Sequence, residues 1–198
     1  MPDAPAPYFV HFSADPVPRT VDRSQANPGP ANGTHRSGHT QVRAQPRMTV
    51  RWEEGPPRGD GRIPLWVVSA NIYFRLQDYV VSISSDYVVG GCADRTTLGH
   101  ELESHVRRPM RILFSYRDEL ARLLRAAPLP TQASPVYVTR DEADDVQDRL
   151  TAPARAAVAQ VRDLIGAALR ADRNREDGAH AYSLVYNRCT PQQWAEGR

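Results

Sequence analysis

Leu65-Trp-Val-Val-Ser-Ala-Asn-Ile-Tyr-Phe-Arg-Leu76 and, beyond Gln77-Asp78, Tyr79-Val-Val-Ser-Ile83 lead into Gly90-Gly-Cys-Ala-Asp94. The first two stretches are rich in β-branched and aromatic residues, which suit a pleated, half-buried surface. They read as two strands with Gln77-Asp78 as the turn between them. The glycine pair breaks the strand character, and Asp94 predicts the N-cap of a helix running to about Arg108. Pro109 then ends or kinks that helix. Strands that feed helices in this order predict an α+β fold: a small, mostly antiparallel sheet packed against three or four helices.

Towards the N-terminus, Met48, Val50 and Trp52 alternate with Thr49 and Arg51, the pattern of a strand, and Gly55 to Gly61 is a loop. Before Met48 the chain is rich in proline and turn formers. Residues 1–47 are therefore expected to be an extended arm, with one short strand at Tyr8 to Phe12, ahead of a single domain over 48–198. An arm of this composition needs contact with its own domain or with neighbouring chains to become ordered.

Towards the C-terminus, Leu113, Tyr116, Leu120, Leu123 and Leu124 recur at helical spacing and predict a helix from Met110 to about Ala126. Val136 to Val138 reads as a last short strand. Asp141 to Leu150 reads as a short acidic helix, and Pro153 as a first-turn residue of the next, which runs to about Ala171. Ala157, Val158, Val161, Leu164, Ile165, Ala168 and Leu169 form its apolar stripe. Asp172 to Gly178 reads as a charged loop, Tyr182 to Tyr186 as an extended segment, and the Trp194 region as a loosely ordered tail.

The 198 residues carry a formal net charge of +2, too little to point to nucleic acid. Every basic residue is arginine, a side chain suited to gripping carboxylates or phosphates, but no arginine-rich run interleaved with aromatics appears. No stretch approaches the roughly 18 apolar residues of a membrane span, and no classical secretory leader is visible. Cys92 and Cys189 are the only cysteines. They read either as idle thiols or as one bridge.

The chemistry-bearing stretch is Leu98-Gly-His-Glu-Leu-Glu-Ser-His-Val106. A zinc hydrolase of the HExxH type sets two imidazoles one helical turn apart, with a glutamate beside the first to take a proton from the attacking water. Here His100 and His105 are five residues apart. At about 100° per residue, that leaves them about 140° apart on a regular α-helix, against about 40° for the usual spacing. Two arrangements reconcile the residues with one metal. A π-bulge would return His105 to the face of His100. Alternatively, Glu101 and His105, at i and i+4, would be the ligand pair. A solvated helix that holds no metal is the remaining reading. A third ligand would come from Tyr116 or Glu119, if the chain reverses at Arg108-Pro109, or from His180.

The stretch Val80-Val-Ser-Ile-Ser-Ser-Asp-Tyr-Val-Val-Gly-Gly-Cys-Ala, followed by Leu98-Gly-His-Glu and His105-Val106, resembles a group of uncharacterised bacterial exported proteins regarded as zinc-dependent peptidases. The resemblance covers about residues 63–190 and departs from the pattern by the one residue added between Glu101 and His105. It implies zinc as cofactor, His100 and His105 as ligands and Glu101 as general base. It also implies a Cys92–Cys189 disulfide, which ranks above a nucleophilic role for Cys92. The activity implied is that of a peptidase-like hydrolase acting on peptide or cell-envelope material. Such a protein would be an effector or toxin delivered outside the cytoplasm by a leaderless route. The competing expectation is a non-catalytic structural or cargo protein of a larger bacterial or viral assembly, such as a secretion particle, attached through the arm.

Overall fold

The structure, a computed structural model, describes residues 6–14, 22–26, 30–31, 34–35, 38–84, 87–176 and 179–195. In chain order the elements are β1 (Tyr8–Ala14), β2 (Asp22–Ala26), β3 (Pro30–Ala31), β4 (Thr34–His35), β5 (Gly38–Glu54) and β6 (Ile63–Ser84). Then come α1 (Cys92–Leu102), a π-helical turn (Glu103–Arg107), α2 (Arg108–Ser115), α3 (Arg117–Arg125) and β7 (Val136–Val138). A 3₁₀ turn (Arg140–Glu142), α4 (Ala143–Glu176), α5 (Ala179–Tyr186) and α6 (Pro191–Ala195) complete the chain. The fold is α+β, as the order of strand and helix signals predicts.

β6 is the strand with which β1, β2, β5 and β7 pair, and the sheet is mixed. β2 runs parallel to it, with Asp22 opposite Ser82; β7 runs antiparallel, with Ile63 opposite Val138 and Leu65 opposite Val136. The turn expected at Gln77-Asp78 does not form, and β6 continues through it. The physical reason is that a two-residue hairpin needs positive φ at its centre, which Gln-Asp lacks the glycine or asparagine to supply. The loop at 55–62 does have that means: Gly61 takes φ +80°, and its N–H closes a turn onto the Arg58 carbonyl at 2.9 Å. Residues read as an irregular arm supply β2 to β4 and the first part of β5, so the strand expected from Met48 begins at Gly38.

Two compact units divide the chain. The first comprises the described residues of 1–13, 45–75 and 113–165. Ile63, Leu65, Val138 and Val146 form a buried cluster there, with Trp52, Val136, Ala143 and Leu150 packed around it. Phe12 stacks on Phe74 with ring centroids 5.1 Å apart, and the Tyr8 hydroxyl donates to the Ala127 carbonyl. Burial pushes the Tyr8 phenol up to about 12. The expected helix from Met110 to Ala126 is instead two, because the chain breaks its ladder at Tyr116, between α2 and α3.

α4 corrects three expectations at once. It runs unbroken from Ala143 to Glu176, so the two expected helices are one, Pro153 lies inside it and residues 172–176 are helical rather than looped. An interior proline costs about 3 kcal/mol. Burial of Ala154, Ala157, Val158, Val161 and Ile165 along one face supplies the offset. Leu164, expected in that stripe, is 38% exposed. The helix begins on a capping box, in which Thr139 and Glu142 satisfy each other's backbone N–H groups.

The second unit comprises the described residues of 14–44, 76–112 and 166–198. Val81, Ile83 and Val106 form its buried cluster, with Tyr87, Leu98, Leu102 and Met110 against it. Tyr182 to Tyr186, expected to be extended, lies in α5. The tail is ordered through Trp194, whose indole N–H donates to the Tyr186 carbonyl at 2.8 Å and whose ring meets Tyr87 edge-on. Among the described residues, no helix is long and apolar enough to cross a membrane.

Candidate functional site

The helix that carries the motif is fixed first at its start. Gly90 adopts φ +75°, and Gly91, not Asp94, is the N-cap. Asp94 sits inside the first turn, where its carboxylate is buried and accepts the Gly90 N–H at 2.9 Å. A carboxylate there reaches back over the helix end, as in a capping box. Cys92, the first helical residue, is bonded to Cys189. The Thr96 hydroxyl lies 3.4 Å from the Cys189 sulfur, and α5 and α6 pack on α1. The expected bridge is therefore present, and Cys92 is not a free nucleophile.

Pro109 neither ends this helix nor reverses the chain. The helical run passes through it from Cys92 to Ser115, with π geometry over Glu103–Arg107 immediately before it. The sequence dictates where this happens. Pro109 has no N–H for the His105 carbonyl four residues earlier, and its ring crowds that carbonyl. One wider turn relieves both: the Arg108 N–H bonds to the Glu103 carbonyl, five residues back. The extra residue absorbs about 100° of rotation, which cancels most of the separation between the two histidines.

His100 and His105 consequently face one another, with ring centroids 5.4 Å apart and planes at 84°. Two imidazoles sharing a tetrahedral zinc at about 2.0–2.1 Å would have centroids about 5.2 Å apart, since each centroid lies about 1.1 Å beyond its nitrogen. The observed centroid separation is close to that value. The Nε2 atom of His100 is buried, and Glu101, the next residue, is 4% exposed.

Further side chains are linked to this helix. Ser104, 6% exposed, places its hydroxyl 3.4 Å from His100 Nδ1 and donates to Glu176 Oε2 at 2.9 Å. Glu176 also pairs with Arg108, which reaches Asp172 at 3.4 Å through Nε. On the outer side of the turn, Glu103 bonds to Arg111 at 2.6 Å and Arg107 at 3.4 Å. The hydrogen bond from Arg111 is the main cause that holds the Glu103 carboxyl below its ordinary range. Sequence reasoning missed Ser104, Arg108, Asp172 and Glu176. The available signal was the i,i+4 spacing of Asp172 and Glu176, which continues the period of α4.

The reversal on which Glu119 depended does not take place, and its carboxylate is held by Arg122 at 2.7 and 2.6 Å. That bond, from Arg122, lowers the Glu119 pKa. His180 lies in α5 rather than in a loop, and its side chain falls outside the described residues. Among the described residues, no group of three or more His, Cys, Asp or Glu side chains is placed to hold a metal ion. Comparison with family models, curated proteins and solved structures finds no match to this chain.

Proposed function

We propose that the chain is a zinc-dependent, peptidase-like hydrolase that works outside the cytoplasm. In this reading His100 and His105 hold the ion and Glu101 is the general base. The observation that carries it is the π turn, which sets the two imidazoles 5.4 Å apart in spite of a spacing that a regular helix would defeat. Bound zinc would supply Lewis-acid polarisation of a carbonyl and a lowered water pKa. Glu101 follows the first ligand directly, the position from which a carboxylate accepts a proton from the attacking water. The Cys92–Cys189 bond favours an oxidising compartment.

The test is metal content followed by two substitutions. Purified protein should carry close to one zinc per chain by elemental analysis. Glu101→Gln should keep the metal and lose hydrolysis of a fluorogenic peptide library, while His105→Ala should lose both. A wild-type chain that takes up no zinc from a micromolar solution refutes the reading.

A further inference from the structure

We infer that Ser104 and Glu176 form a positioning relay that fixes His100 as the Nδ1–H tautomer and leaves Nε2 as the atom presented to a ligand. The purpose of the relay rests on the metal reading above, but its test does not. The argument begins with proton counting. A serine hydroxyl has one hydrogen and two lone pairs. At 2.9 Å from Glu176 Oε2, Ser104 commits that hydrogen to the carboxylate. What it turns towards His100 Nδ1, at 3.4 Å, is therefore a lone pair, and the nitrogen facing a lone pair is the one that carries the hydrogen. Nε2 of the neutral ring then has no hydrogen and carries the lone pair.

The far end of the relay is fixed as firmly as the near end. Glu176 is held by Arg108, and Arg108 by Asp172 as well, so one guanidinium joins the last turns of α4 to the turn that bears His105. A carboxylate reaching an imidazole, directly or through one hydroxyl, orients the ring and raises the basicity of its other nitrogen. Ser104 stands four residues after His100 and one before His105. The π turn therefore brings the orienting hydroxyl and the second imidazole to His100 together.

The tautomer is read directly in metal-free, full-length protein. Long-range proton–nitrogen correlation spectra of histidine-labelled chain at pH 8 distinguish Nδ1–H from Nε2–H rings. His100 should be Nδ1–H in the wild type. Ser104→Ala should move it towards the Nε2–H form that neutral imidazole prefers in water, Ser104→Thr should restore Nδ1–H, and Glu176→Gln should give a mixture. Zinc affinity should fall about 10–100-fold in Ser104→Ala, the usual effect of losing an orienting partner. An Nε2–H ring in the wild type, or an unchanged tautomer in Ser104→Ala, overturns the relay. A wild type that shows the expected tautomers but binds no zinc upholds the relay and removes the metal reading alone. Should Ser104→Ala fail to fold by circular dichroism, the Thr and Gln variants carry the same comparison.

Discussion

Deleting Glu103 tests whether the helix carries one residue more than a regular α-helix over its length. A π turn is equivalent to one inserted residue, so its removal should leave the faces before and after it in their present alignment. Glu103 is the residue to delete because its side chain is 46% exposed and its partners Arg107 and Arg111 lie on the surface. Without the wide turn, however, Pro109 would meet a regular ladder, at a cost of about 3 kcal/mol. The expected outcome is that loss for the deletion alone, and recovery to within about 1 kcal/mol when Pro109→Ala is added. The contrary case is equally definite. In a regular helix the deletion would turn everything after it by about 100°. Val106 and Leu113, now 0% and 1% exposed, would come out of the core. At about 1.5–3 kcal/mol for each side chain the loss would be about 3–6 kcal/mol, and Pro109→Ala would not restore it. Urea unfolding followed by circular dichroism measures both variants. Failure of Pro109→Ala to rescue the deletion would falsify the π-turn argument.

Other perturbations test the supports of the site and of the first unit. Reducing Cys92–Cys189 opens a separation of 97 residues. On the chain-entropy model this lowers stability by about 4.7 kcal/mol, and an unchanged urea midpoint in reductant would contradict it. Tyr8→Phe removes the hydroxyl that serves the Ala127 carbonyl, and should cost about 0.5–1.5 kcal/mol in the same assay. With the Tyr8 phenol raised from 10.0 to about 12, its contribution is complete below pH 10 and is lost as pH rises towards 12. Ultraviolet titration should accordingly show that Tyr8→Phe removes a late-ionising tyrosine. Thr139→Ala breaks the capping box and should cost about 1 kcal/mol of stability. The hydrogen bond from the Thr139 side chain keeps Glu142 below its ordinary range, so the cap's contribution is present above that range and fades as acid protonates Glu142; a cap contribution that grows in acid would overturn the assignment.

The fold class was legible because its signals are local. β-branched and aromatic residues gave the strand character of β6, though as two strands, the glycine pair gave the break before α1, though with the cap at Asp94, and Val136 to Val138 gave β7. Errors arose where tertiary burial overrode a local sign. Pro153 marks a helix start in sequence, yet the apolar face on either side of it holds α4 together. Gln77-Asp78 is polar enough for a turn, but Leu76 before it and Val81 and Ile83 after it are buried, and the strand runs on between them. The segment before Met48 holds β2, a strand the sequence does not mark, for a related reason. A strand that obtains its hydrogen bonds from β6 needs little hydrophobic pattern of its own, so the sequence of β2 announces nothing.

The candidate site shows the same division at closer range. A count of five between His100 and His105 is an objection only while the helix is regular, and the residue that makes it irregular is Pro109, four places beyond the second histidine. A missing N–H and a crowded carbonyl at that distance point to the turn that holds His105, so the proline that suggests an end to the helix also suggests its repair. What no local reading supplies is the partner across the chain. Glu176 lies 72 residues from Ser104 in sequence, and only the packing of α4 brings their oxygens to 2.9 Å. The inserted residue then has a physical consequence. It moves the two positions that flank His100 on the next turn one place along, so that Ser104 meets Nδ1 while the His105 ring lies 5.4 Å from that of His100, centroid to centroid. A helix shortened by that residue would keep the same two neighbours at i+3 and i+4. The unusual spacing therefore preserves the neighbours of His100 that a regular motif would have.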